Sequence, residues 1–225
     1  MSYQIITDTC CDLPADMYKE LNLTAVPLSV LYNGVNYNEY SEQWLKDFFD
    51  GMRQGHTAST SAVNPDGWAT VIEPVLKEGK DALVLTFSSG LSTTYQSAVI
   101  AANELQEKYP DRKIAVVDTL CASLGQGLFV WYACKKRDEG MPIEELAAWL
   151  EEHKRNLCHW VTVDDLTHLK RGGRISTTTA LVGTMLNVKP IIHVDDDGHL
   201  INCAKVRGRK AAMEYLVKKF GETAT

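Results

Sequence analysis

Hydroxyl side chains, glycine and arginine collect in three short stretches of the sequence. Thr60 and Ser61 lie in Ser59-Thr60-Ser61-Ala62-Val63-Asn64-Pro65. Ser89, Gly90 and Ser92 lie in Ser88-Ser89-Gly90-Leu91-Ser92-Thr93-Thr94, and Arg174 lies in Arg171-Gly172-Gly173-Arg174-Ile175-Ser176. The second stretch joins an apolar run to a helical pattern, and the third precedes another helical pattern. At such a junction the first N–H groups of the helix lack intrahelical partners and carry partial positive charge, which attracts an anion. Hydroxyls add donors, Gly90 lets the backbone come close, and arginine supplies countercharge. Any one of these stretches alone reads as a capped helix start or a solvated turn. Their conjunction at strand ends of one parallel sheet points to a site for a small anionic ligand, because open α/β sheets bind there. The identity of the ligand does not follow from this step.

Signatures of catalysis are weak by contrast. There is no G-x-S-x-G elbow, since Leu91-Ser92-Thr93 lacks the second glycine, and no phosphate-binding or dinucleotide-binding glycine pattern. His153 and His159 are six apart, His193 and His199 flank a turn, and none has the spacing of a zinc helix. Asp195-Asp196-Asp197-Gly198 has the start of a calcium loop without its distal glutamate, so a solvated turn is expected. Asp8 and Asp118 each end a strand and precede a threonine; an acid pair is one reading, helix capping the favoured one. A transferase or hydrolase acting on a small acylated or phosphorylated substrate at the 88–94 junction is the alternative to a binding protein. It requires a base within reach of Ser92, which no motif supplies.

Composition narrows the class. The 225 residues are 45% hydrophobic and 23% charged with a formal net charge of -6, which argues against a duplex-binding protein. The N-terminus has no secretory pattern and no apolar run is long enough to span a bilayer, so a cytoplasmic location without stable membrane insertion is expected. Of the six cysteines, Cys10 and Cys11 are adjacent and no C-x-x-C pair occurs; scattered reduced thiols and no metal site are expected.

The elements that must position these groups alternate strand and helix. Strands are expected at residues 3–7, 26–32, 81–87 and 113–117. Helices are expected from Asp12 towards Leu21, from Ser41 with an apolar face of Trp44, Leu45, Phe48, Phe49 and Met52, and around Trp68 and Ile72 with Pro74 bending or ending it. Residues 56–65 read as a loop. Helices after Ser92, after Thr119 and from Ile143 complete a parallel α/β domain over residues 1–159. A second, smaller α/β domain is expected over 160–225. It contains a strand at 160–164, a helix from Ser176 or Thr177 to Leu186, a hairpin of 190–194 with 200–206, and a last helix aligning Met213, Leu216, Val217 and Phe220.

The sequence resembles the DegV family. The resemblance rests on Thr7-Asp8-Thr9 with Asp12-Leu13-Pro14, the Thr60-Ser61 stretch ending at Pro65, and Ser88-Ser89-Gly90-Leu91-Ser92 with Thr94-Tyr95-Gln96-Ser97-Ala98. Val117-Asp118-Thr119, Gly125-x-Gly127 and Gly172-Gly173-Arg174-Ile175-Ser176 complete it, in the family's order over nearly the whole chain. It implies a two-domain α/β protein of bacterial type, not an enzyme, that carries one long-chain fatty acid and no other cofactor. Its partner would be a fatty-acid kinase that phosphorylates the presented carboxylate and feeds phospholipid synthesis. By the same resemblance Thr60 and Ser92 hold the carboxylate, Arg174 joins the head-group network, and Ser61, Ser89 and Gly90 shape the pocket. The sequence departs from the family at Thr93, where glycine is usual, and after Gly221, where relatives continue into a histidine-bearing segment. The second domain is therefore expected to be cut short relative to the family.

Overall fold

The computed structural model describes residues 2–38, 41–164, 166–175 and 187–224. The chain divides into two compact units, Met1–Glu151 and Glu152–Thr225.

The first unit is built on a four-stranded parallel sheet in the order β2-β1-β6-β7, formed by β1 (Tyr3–Asp8), β2 (Leu23–Val26), β6 (Asp81–Thr86) and β7 (Ile114–Asp118). β6 is buried along its whole length, as expected of a central strand covered on both faces. Alternation along it sends Ala82 and Val84 into a core with Trp68, Ile72 and Leu76 of α3 (Pro65–Lys77) and Ala98, Ala101 and Leu105 of α4 (Thr94–Lys108). On the other side α5 (Ser123–Asp138) lies against β1, and its Phe129 stacks on Trp149 of α6 (Ile143–His153). Gly127 lets α5 pass close to the 3-10 turn Thr9–Cys11 that follows β1: a Cβ there would sit 2.5 Å from the Cys11 carbonyl oxygen.

Several expectations are corrected in this unit. Residues 26–32 are two strands, β2 and β3 (Ser29–Tyr32), in different sheets. Pro27 has no N–H for a ladder, and the Leu28 N–H goes instead to Thr9 Oγ1 at 3.2 Å, so the chain leaves the parallel sheet there. The expected 56–65 loop contains β5 (Ala58–Ser61), which pairs with β3, while β4 (Val35–Tyr37) pairs on its other edge. Asn33 and Gly34 both take positive φ, the two-residue turn that joins β3 to β4. Pro74 sits inside α3 without ending it. Asp12 does not cap α1 (Ala15–Glu20), which starts after Pro14; its carboxylate accepts from the Ser123 hydroxyl at 2.6 Å.

Ser41 caps α2 (Glu42–Arg53) as expected, accepting from the Trp44 N–H at 3.1 Å. α2 turns Trp44 and Phe48 onto Tyr32 and Tyr37 of the small sheet and leaves Leu45 and Phe49 exposed.

The second unit carries β8 (Trp160–Thr162), β9 (Val188–Val194) and β10 (Leu200–Arg207) in an antiparallel sheet ordered β10-β9-β8. The expected hairpin is present. Its turn is held by Asp195, whose Oδ1 accepts from the N–H groups of Asp197 and His199. The short helix α7 (Thr167–Arg171) precedes the Gly172-Gly173 turn, and the helix expected over 176–186 lies outside the described residues. The last helix, α8 (Arg209–Thr223), meets β8 through Tyr215 and Lys219, both against the Trp160 ring. Met213, Val217 and Phe220, expected on its buried stripe, are exposed. Among the described residues no helix is long and apolar enough to cross a membrane.

Candidate functional site

Parallel pairing brings Asp8, Val26, Thr86 and Asp118 to one edge of the first sheet. The 88–94 loop leaves β6 at that edge and enters α4. Its backbone is fixed by side chains from the neighbouring strands. Asp8 Oδ2 accepts from the Phe87 N–H at 2.7 Å, and Asp118 Oδ1 accepts from the N–H groups of Ser89 and Leu120, both at 3.1 Å. Ser88, fully buried, accepts the Gly90 N–H on its Oγ at 3.2 Å, and the Cys121 carbonyl holds the Ser88 N–H at 3.0 Å. Ser92 Oγ accepts from the Thr94 N–H at 3.2 Å and pairs with the buried Thr94 hydroxyl at 2.8 Å. Ser92 therefore closes a hydroxyl turn just before α4, whose N-cap is Thr93, and remains half-exposed beside Ser89 and Gly90. Thr93, where the resemblance expects glycine, has φ of -80°, a region open to any residue, so the departure needs no backbone strain.

Thr60 and Ser61 reach the same edge by another route. β3 starts three residues after Val26, and Ser29 pairs with Ser61. Two residues past Ser61, Val63 enters the core with Ile6, Val26 and Trp68. Asn64 then caps α3, and Trp68 donates its ring N–H to the Thr94 carbonyl at 3.1 Å, tying the start of α3 to the start of α4. Strand alternation separates the two hydroxyls. Thr60 pairs with Val30, which also pairs with Tyr37, on the face that α2 covers; Ser61 shares the opposite face with Ser29 and Ser59. A single ligand oxygen therefore meets one of these side chains, not both.

Arg174 belongs to the second unit. It is half-buried, its guanidinium donates to the Gly172 carbonyl at 2.6 Å, and its own N–H closes onto Leu169. The structure thus gathers Ser89, Gly90 and Ser92 in one loop and sets Thr60 and Ser61 on a strand at the same edge, with Arg174 on a separate body. Ser176 lies outside the described residues.

Sequence reasoning missed the buried scaffold beneath this edge. Asp8 is completely buried; besides Phe87 it accepts from the Cys10 N–H at 3.1 Å and from Gln126 Nε2 at 3.2 Å. Burial pushes its carboxyl up to about 6, against the opposing effect of those hydrogen bonds. The Thr7 hydroxyl donates to Leu85 and the Thr119 hydroxyl to Thr86, so the threonines flanking the aspartates cross-link the strand ends. The recurring Asp-Thr at the ends of β1 and β7 was the available signal. The favoured capping reading holds for Asp8 at a 3-10 turn, but both aspartates also anchor the loop after β6. Burial also pushes the thiols of Cys10 and Cys11 up, so they stay protonated at neutral pH, and all six cysteines are free.

As chemistry the edge is a cluster of hydroxyl and amide donors with its own carboxylates turned inward onto backbone N–H groups. Among the described residues no histidine, lysine or carboxylate bonds to Ser92 Oγ. A cavity of about 550 Å³ lies at the opposite edge, beside Tyr3, Asp81 and Lys113 at the strand starts, and contains none of the candidate residues.

The fold defines an α/β protein with a parallel sheet flanked by helices and a smaller antiparallel sheet, and comparison with known proteins specifies its family. The family model described as an uncharacterised protein of the DegV family matches residues 2–225, and the chain belongs to that family. A DegV domain-containing protein of Clostridium perfringens is 45% identical over 219 residues, covering 96% of this chain and 75% of that protein. The structure of a fatty-acid-binding DegV family protein from Thermus thermophilus superposes with a TM-score of 0.87 at 36% identity, covering 100% of this chain and 78% of that one. A DegV lipid binding protein from Thermotoga maritima gives 0.86 at 31% identity, covering 99% and 77%.

Proposed function

We propose that this chain binds one long-chain fatty acid, with the carboxylate at the β6–α4 edge, held by the hydroxyls of Thr60 and Ser92. The observation that carries the reading is the 88–94 loop, whose Ser92 hydroxyl sits at the start of α4 while both nearby aspartates are committed to backbone N–H groups. A carboxylate there meets hydroxyl and helix-start donors rather than a facing negative charge, which offsets its desolvation. Ser89 and Gly90 line the approach, and Ser61 contributes shape from the other face of β5. The family resemblance adds Arg174 to the head-group network. The fatty acid binding named for the Thermus thermophilus relative supports the ligand class. Burying an acyl tail contributes about 0.8 kcal/mol per methylene, so the tail supplies most of the affinity and the hydroxyls fix its end.

Presentation of that carboxylate to a fatty-acid kinase is the role the family resemblance supports, and the half-exposed Ser89 and Ser92 leave the head group reachable. The chain acts as a carrier and not as an enzyme in this reading, because nucleophilic use of Ser92 needs a base that its hydrogen bonds do not supply. Organic extraction of the purified chain followed by mass spectrometry tests the reading: one long-chain fatty acid per chain is expected. An empty protein that also fails to take up added oleate would overturn it, and ester turnover lost in Ser92→Ala would favour the transferase or hydrolase alternative.

A further inference from the structure

We propose that Asp8 and Asp118 are positioning residues for the head-group loop, gripping the Phe87 and Ser89 N–H groups from the two strands that flank β6. The inference rests on the fatty-acid reading above and extends it from the donors to the frame that aims them.

The geometry is specific. β6 is the strand between β1 and β7, and the loop that follows it is bonded on one side by Asp8 at 2.7 Å and on the other by Asp118 at 3.1 Å. Only one residue, Ser88, separates the two grips, and its buried hydroxyl accepts the Gly90 N–H. Three consecutive N–H groups after Phe87 are therefore fixed or bracketed before the chain reaches Ser92.

A second observation concerns Gln126 of α5. Its Nε2 donates to Asp8 and to Thr7, while its Oε1 is buried and accepts no hydrogen bond. The native amide orientation thus serves an ionised Asp8 at the expense of its own oxygen. Turned about its last bond, the amide would offer Oε1 to a protonated Asp8. Among the described residues the titratable groups facing Asp8 are Cys10, Cys11, Asp12 and Tyr18 on the segment after β1, and its non-titrating partners are the Gln126 amide of α5 and the Phe87 N–H just past β6. None of them is cationic, so the charge of Asp8 is held by hydrogen bonds alone. Its carboxyl, raised to about 6 by burial, gains a proton as the medium is acidified below neutrality. The grip on Phe87 weakens with it.

Affinity for 11-(dansylamino)undecanoic acid, measured by fluorescence for the whole chain and for Asp8→Asn at pH 8 and pH 5, tests the proposal. Asp8→Asn resembles the protonated state, so wild type should bind roughly tenfold more tightly than the variant at pH 8. At pH 5 the ratio should fall to about one, because the ionisation of the probe itself cancels in it. Asp118→Ala should weaken binding at both pH values. A ratio of one at pH 8 with wild type binding well overturns the positioning role, as does a ratio that pH leaves unchanged or full binding by Asp118→Ala. Wild type that does not bind at pH 8 instead sinks the fatty-acid reading beneath. Should Asp8→Asn fail to fold, the Phe87 amide proton of the wild-type chain supplies the readout. Its resonance should shift with a midpoint near pH 6 in step with affinity, and a resonance that stays fixed contradicts the grip.

Discussion

The 88–94 loop and strand β5 bring hydroxyls to the same edge of the sheet and are held in opposite ways. The loop rests on buried polar groups: Asp8 and Ser88 are fully buried, and hydrogen bonds from two strands fix its backbone. β5 is an edge strand with Ser59, Thr60 and Ser61 exposed, held by its ladder to β3 and by the Val63–Trp68 anchor beyond it. A site built from one fixed and one lightly held wall has its geometry set by the first, while the second can adjust to the ligand at little cost to stability.

The largest expected effect comes from cutting the link between the two walls. Trp68 is fully buried and bonded to the Thr94 carbonyl, so Trp68→Ala should destabilise the chain by about 3 to 5 kcal/mol in denaturant unfolding. A loss under about 1 kcal/mol would show that the anchor does not hold the walls together.

Next is the pH dependence of the fixed wall. The Asp8 carboxyl is raised in the folded state from its ordinary value to about 6. Its contribution to stability is therefore fully present below the ordinary carboxylate range and is lost as pH rises through 6. A rise of that size corresponds to roughly 3 kcal/mol. Urea unfolding between pH 4 and pH 7 should show that decline in the wild type and not in Asp8→Asn, after subtraction of whatever the two chains share. Parallel curves would contradict the assignment.

The two hydroxyls should then part company. Ser92→Ala removes a proposed ligand donor and the hydrogen bonds to the Thr94 N–H and hydroxyl, so both ligand affinity and stability should fall, the latter by about 1 kcal/mol. Thr60→Ala should lower affinity about tenfold with stability within about 0.5 kcal/mol of wild type, and Ser61→Ala should do less than Thr60→Ala because it lies on the other face. Equal affinity losses at 60 and 61 would break the face assignment. The smallest effect belongs to α8, where Phe220→Ala should change stability by no more than about 0.5 kcal/mol, since that side chain is 71% exposed.

Long, continuous patterns were legible in the sequence. The apolar run of β6, the helix after Ser92 and the β9–β10 hairpin emerge close to where they were expected because periodicity and turn residues report burial directly. β5 escaped notice because Ala-Ser-Thr-Ser has no apolar alternation, and its strand form comes from pairing with β3. The stripe on α8 misled because Tyr215 and Lys219, not the more apolar Val217 and Phe220, meet the Trp160 ring. At the proposed site, hydroxyl-rich loops announced the candidate donors. The grip of Asp8 and Asp118 on residues separated from them in sequence is a property of strand order, which only the assembled sheet reveals.

Recognition at the β6–α4 edge, in this account, is of a carboxylate and not merely of a hydrocarbon chain. Calorimetric titration of the chain with oleate and with its methyl ester isolates that contribution, since the two ligands share a tail. Oleate should bind at least tenfold more tightly, with the difference reduced in Ser92→Ala and in Thr60→Ala. Equal affinity for acid and ester in the wild-type chain would contradict the account.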